Sequence, residues 1–128
     1  MEVSPQDAER GVREEGWVIV DVREPDELER DGRFPGARHV AMAQLNEQAE
    51  TIPRDRTVVF ACRTGARSGM AAEAFGMAGW EAHNLAGGIE AWAAAGLVVE
   101  GGDGPAPGGA GPGETGSGGN GPGDAGSG

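Results

Sequence analysis

The chain has 128 residues and carries 21 acidic against 10 basic side chains, a net charge of −11. Residues 101–128 hold 14 Gly and 4 Pro and nothing larger than Glu114. About 100 residues are left for one compact domain with one core, which excludes two independent domains.

So acidic a surface makes nucleic acid and anionic membranes poor partners. No apolar run approaches the ~18 residues of a membrane span. The single cysteine excludes an internal disulfide and a Cys-rich zinc site. Met1-Glu2-Val3-Ser4-Pro5 is acidic and lacks an apolar segment, so it does not read as a secretory signal and a cytoplasmic location is expected. All ten basic residues are Arg. An anion site in this chain must therefore be built locally.

In chain order, Glu2-Val3 reads as a short edge strand. Ser4 reads as the N-cap of a helix with Pro5 at its first position, running to about Glu14 and stopping at Gly16. Trp17 to Val22 is a nearly continuous β-branched run, the pattern of a strand buried on both faces. Pro25 to Arg30 is a short helix closed by Gly32, and His39-Val40-Ala41 a short strand. Ala43 to Glu50 reads as a helix ended by Pro53, and Thr57 to Ala61 as the second strongly apolar strand. A helix follows from about Arg67 to Ala78, with Ala71, Ala74, Phe75 and Ala78 as its apolar stripe. Glu81 to Leu85 is a strand, Gly87-Gly88 a turn, and Ile89 to Ala95 a last helix ended by Gly96.

Strands alternating with helices imply an α/β fold, a doubly wound parallel sheet of four to five strands flanked by helices. It is expected over residues 1–100, with 101–128 as a disordered Gly/Pro-rich tail. Trp92 and Ile89 should dock the last helix on the sheet.

Ligands of such sheets sit beyond the carboxyl ends of the strands. Cys62 stands there, after the most apolar strand and before a loop containing Gly65 and a helix start. The unpaired N–H groups and dipole of that helix, with Arg63 and Arg67, favour a thiolate, the reactive form of the residue. Converging amides also suit an anion, and Gly65 lets the backbone curl. A lone cysteine at a strand end is commonly a small buried hydrophobe, but two Arg and a Gly around a core thiol make little structural sense. The reading requires loop amides aimed at a sulfur that is not entombed.

Four stretches then carry a resemblance: Val20-Asp21-Val22-Arg23-Glu24 with Glu27-Leu28; Pro35-Gly36-Ala37; Cys62-Arg63-Thr64-Gly65-Ala66-Arg67-Ser68; and Leu85 to Trp92 ending at Gly96. Over about residues 2–100 the chain resembles single-domain rhodaneses, the sulfurtransferase homology domain. The turn departs from the family's frequent Gly-His-Ile-Pro-Gly-Ala, reading Gly32-Arg33-Phe34-Pro35-Gly36-Ala37.

The resemblance implies a persulfide on Cys62, with Arg63, Thr64, Gly65, Ala66 and Arg67 binding the substrate and Asp21, Arg23 and Ser68 in support. Asp21 either braces Arg67 or Arg63, or simply forms an ion pair at the strand end, the reading we favour. Cysteine phosphatases use a longer loop, Cys-x5-Arg, whereas only four residues separate Cys62 from Arg67. This favours sulfur over phosphoryl chemistry and leaves phosphatase or arsenate reductase as the least favoured reading. A carrier module delivering sulfur to a partner protein is the main alternative. The expected partners are small sulfur-containing anions and thiol acceptors, with a sulfur-donor or acceptor protein as a further possibility. No metal, nucleotide or flavin cofactor is suggested. His39, His83 and the acidic faces around Glu14-Glu15 and Asp26 to Glu29 read as ordinary surface or core residues.

Overall fold

The computed structural model describes residues 1–102. From residue 103 onward, the expected disordered tail lies outside the described residues. Strand β1 (Glu2–Val3) leads to helix α1 (Pro5–Arg10), whose N-cap Ser4 hydroxyl accepts the Asp7 N–H. The helix continues as a π-helical segment over Gly11–Glu15 and ends at Gly16, φ 76°. Strand β2 (Val18–Asp21), helix α2 (Pro25–Asp31) and strand β3 (Arg38–His39) follow.

The expected helix over 43–50 is broken. A 3-10 turn at Met42–Gln44, a short α3 (Leu45–Gln48) and a second 3-10 turn at Ala49–Thr51 replace it. Leu45 is the one fully buried residue of these three segments, with Met42 and Ala49 packed beside it against the same core. Strand β4 (Val58–Ala61), helix α4 (Ala66–Met77), strand β5 (Ala82–Leu85) and helix α5 (Gly88–Ala94) complete the domain. An antiparallel bridge from Arg33 to Glu100 ties the end of the domain back to the loop after α2.

The strands form one parallel sheet in the order β1-β5-β4-β2-β3. Its two faces bury separate cores, and side-chain parity assigns each residue to one. Val58 and Phe60 pack with Val20, Val22 and the α4 residues Ala71, Ala72 and Phe75. Val59 and Ala61 pack with Ile19, Ala8 of α1, and Ile89 and Trp92 of α5. Phe75 sits between Phe60 and Trp80 at 4.9 and 4.7 Å, and Trp92 meets Phe34 edge-on at 5.1 Å. Such pairs add about 0.5–1.5 kcal/mol each beyond area burial.

The apolar stripe of α4 departs from the one expected. Ser68, Ala71, Ala72 and Phe75 are buried, whereas Ala74 and Ala78 are exposed. Alanines lie on every side of this helix and mark no face, so the orientation is set by Phe75 and by Ser68.

Candidate active site

Parity carries past the end of β4. Val58, Phe60 and Cys62 share one face, the face α4 covers, so the Cys62 side chain projects beneath the start of α4. Gly65, the residue before α4, has φ 105°, a left-handed conformation that turns the chain back over the sulfur.

The amides converge as the chemistry requires. The Gly65 N–H donates to Cys62 Sγ at 3.1 Å and the Ser68 N–H at 3.5 Å, while Ser68 Oγ lies 3.2 Å away. Burial pushes the thiol up. The Ser68 hydroxyl and the N–H groups of Ser68, Gly65 and Thr64 outweigh it and bring the thiol below its ordinary value. The amides aim at the sulfur as expected, but Cys62 is 1 % exposed, so the expectation of a sulfur that is not entombed is not met: the loop closes over it.

Helix α5 secures the other end of the loop. The Ile89 and Glu90 N–H groups donate to the Cys62 and Arg63 carbonyls at 2.9 and 3.2 Å. Gly88 makes this approach possible: it holds φ 60°, and a Cβ there would lie 2.4 Å from both carbonyl oxygens. Gly88 therefore lets the start of α5 hold the loop backbone.

Of the residues singled out in the sequence, Arg63, Thr64, Gly65, Ala66, Arg67 and Ser68 follow Cys62 directly. Asp21 and Arg23 do not join them. Ile19 packs in the core under α1 and α5, and alternation along β2 carries Asp21 and Arg23 to that same face, away from the one Cys62 occupies. There they pair, Arg23 Nη2 to Asp21 Oδ2 at 2.6 Å, almost fully buried, with Arg23 also donating to the Gly32 carbonyl. Asp21 thus forms the strand-end ion pair rather than bracing a loop arginine.

The residue that does brace one is Glu27. It pairs with Arg67 through two contacts of 2.8 Å, and its side chain is 14 % exposed, so this part of α2 is not merely a solvated acidic face. The Arg67 hydrogen bonds bring the Glu27 carboxyl down to about 2 against opposing burial. Arg63 Nη1 meets Glu90 Oε2 at 2.7 Å in the open. His39 Nε2 contacts the Arg23 carbonyl and His83 Nε2 the Glu81 carboxylate, and neither touches Cys62.

Asn84 on β5 is the other residue that sequence reasoning missed. It is 5 % exposed, accepts from the Ser68 hydroxyl at 2.6 Å and donates to the Gly65 carbonyl and to Glu2. Its position beside Leu85 at the inner end of β5, the strand's buried half, was the available signal.

Comparison with known proteins agrees with this fold. The family model described as "Rhodanese-like domain" matches residues 4–95. A sulfurtransferase of Allochromatium vinosum is 40% identical over 86 residues, 66% of this chain and 79% of that one. The thiosulfate sulfurtransferase GlpE of Coxiella burnetii is 32% identical over 94 residues, 73% of this chain and 87% of that one. Among solved structures, a rhodanese-related protein from Thermoplasma volcanium superposes with a TM-score of 0.71 at 26% identity, covering 77% of this chain and 95% of that one.

Proposed function

The chain belongs to the rhodanese-like domain family, a family of sulfurtransferases, and from that premise we propose that it moves sulfane sulfur through a persulfide on Cys62. The observation that supports this most is the set of N–H groups directed at the Cys62 sulfur. They stabilise a thiolate before reaction and a negatively charged persulfide after it.

The reaction is a double displacement. The Cys62 thiolate attacks the outer sulfur of thiosulfate, the sulfur–sulfur bond breaks, and sulfite leaves with the electron pair. Cyanide or a thiolate then attacks the outer sulfur of the persulfide and departs as thiocyanate or a new persulfide, returning Cys62 to thiolate. The chain has one cysteine, so discharge goes to an external acceptor. Cys62 is 1 % exposed, so the loop must open for a donor to reach the sulfur. Arg63 and Arg67 orient the anion, and Arg67, held by Glu27, also anchors the loop. Among the described residues no helix is long and apolar enough to cross a membrane. A reactive thiol suits a reducing compartment, and we place the protein in the cytoplasm.

Mass spectrometry after thiosulfate treatment tests the reading. One added sulfur atom is expected on Cys62 and none in Cys62→Ser; a folded protein that gains no sulfur overturns it. The carrier alternative keeps the persulfide but exchanges it poorly with small acceptors. Thiosulfate–cyanide turnover, compared with transfer from a cysteine desulfurase, separates the two.

A further inference from the structure

Ser68 has one hydroxyl proton and two neighbours that want it. Its Oγ lies 2.6 Å from Asn84 Oδ1 and 3.2 Å from Cys62 Sγ. The orientation of Asn84 is fixed by what surrounds it. The Glu2 carboxylate and the Gly65 carbonyl can only accept, and they take both amide hydrogens at 3.1 and 3.0 Å. The amide oxygen therefore faces Ser68 and must receive its proton. While Cys62 is a thiol, the S–H points at a Ser68 lone pair and Asn84 holds the hydroxyl hydrogen. When Cys62 ionises, the charged sulfur becomes the stronger acceptor and the hydroxyl must turn away from Asn84 to serve it.

We propose that Asn84 is a positioning residue that competes with Cys62 for the single Ser68 proton and so restrains ionisation of the loop thiol. Restraint has a chemical use. The loop amides and the start of α4 all favour thiolate, and a thiolate stabilised too far is a poor nucleophile. The inference rests on reading Cys62 as the reacting nucleophile. Four hydrogen bonds among residues of β1, β5, α4 and the Cys62 loop carry it, and Ser68 and Asn84 are both buried.

The experiment is the pH profile of Cys62 alkylation by iodoacetamide, with thiolate absorbance as a second reading and no sulfur donor present. Asn84→Leu and the smaller Asn84→Ala remove the acceptor, and circular dichroism identifies which of them is folded. Each folded variant should ionise about one pH unit lower than the parent. Ser68→Ala should ionise higher, and adding either Asn84 change to Ser68→Ala should produce no further fall. The sign separates this from a structural role. If Asn84 merely held the Gly65 carbonyl, its loss would disorder the amide cup and raise the midpoint.

Arg63 with Glu90 of α5 and Arg67 with Glu27 of α2 keep their pairs in every variant; Asp21 and Arg23 pair on the opposite face of the sheet, and Glu2 on β1 loses its Asn84 contact equally in both Asn84 variants. An unchanged or raised midpoint in folded Asn84→Leu or Asn84→Ala overturns the inference, as does an equal fall in the Ser68→Ala background. A protein that shows these shifts yet accepts no sulfur overturns only the proposed function. One that forms the persulfide with unshifted midpoints overturns only the competition.

Discussion

Arg67, in the first turn of α4, and Glu27, in the first turn of α2, meet in a two-pronged ion pair with both contacts at 2.8 Å. Glu27 Oε2 also accepts the Glu24 N–H at 2.9 Å, so the same carboxylate caps α2 and anchors the helix that follows the cysteine loop.

This pair predicts a pH signature. The Glu27 carboxyl is lowered from 4.5 to about 2 by Arg67. A depressed carboxyl adds stability that is fully present above its unfolded value and lost as pH falls through the folded one. Arg67 is 36 % exposed, so solvent screening reduces the contribution to about 1–2 kcal/mol at neutral pH. Urea unfolding of Glu27→Gln should show that deficit at pH 7, narrowing between about 4.5 and 2. A deficit independent of pH would mean that the ion pair is not its source.

The Asp21–Arg23 pair should behave differently, because water does not screen it. Arg23→Leu leaves a carboxylate buried without its cation, a change that costs about 3–5 kcal/mol. Adding Asp21→Asn to that background should recover part of the loss, since the orphaned charge is what makes the single change severe. Chemical denaturation of the two variants reads this directly. No recovery in the double variant would shift the cause to the lost hydrogen bond with the Gly32 carbonyl.

Two glycines should respond to alanine in opposite directions. At Gly88, φ is 60° and the new methyl would meet the Cys62 and Arg63 carbonyl oxygens at 2.4 Å. Gly88→Ala should cost more than about 2 kcal/mol and slow Cys62 alkylation, because the loop must move to admit it. Gly76 is exposed within α4 and a Cβ there meets nothing, so Gly76→Ala should stabilise by about 0.5–1 kcal/mol with alkylation unchanged. Equal effects at the two sites would show that α5 does not hold the loop.

The parallel sheet was legible in the sequence because β2 and β4 are apolar on both faces and their flanking turns carry Gly or Pro. The cysteine loop was legible because Gly65 and Arg67 follow Cys62 at a fixed spacing. What escaped depends on which face a side chain takes at the strand ends. Asp21 and Cys62 both end strands at the same edge of the sheet, and sequence reasoning could place Asp21 beside a loop arginine. The register pairs Asp21 with Ala61, and parity then sends Asp21 and Cys62 to opposite faces. Glu27 was hidden for another reason. An acid at the third position of a helix explains itself as a cap, so its long-range partner left no local trace. Asn84 meets the loop only through the crossover that sets β5 beside β4.

A dianionic donor must approach a protein whose own net charge is −11. Arg67 is already held by two carboxylate contacts, which leaves Arg63 as the more readily recruited cation. Its pair with Glu90 is half-exposed on both sides, 51% and 56%, and exposed pairs of this kind contribute little to stability. Arg63→Ala should therefore leave the unfolding midpoint unchanged while raising KM for thiosulfate about 3–10-fold. Glu90→Gln releases the guanidinium and should lower KM for the same donor. Both changes should shrink as salt rises, because the Debye length falls from about 10 Å at 0.1 M to about 3 Å at 1 M. An uncharged organic polysulfide, which Arg63 has no charge to attract, should not distinguish the two variants from the parent. If the neutral donor shows the same pattern as thiosulfate, the arginine is shaping the loop rather than gathering the anion.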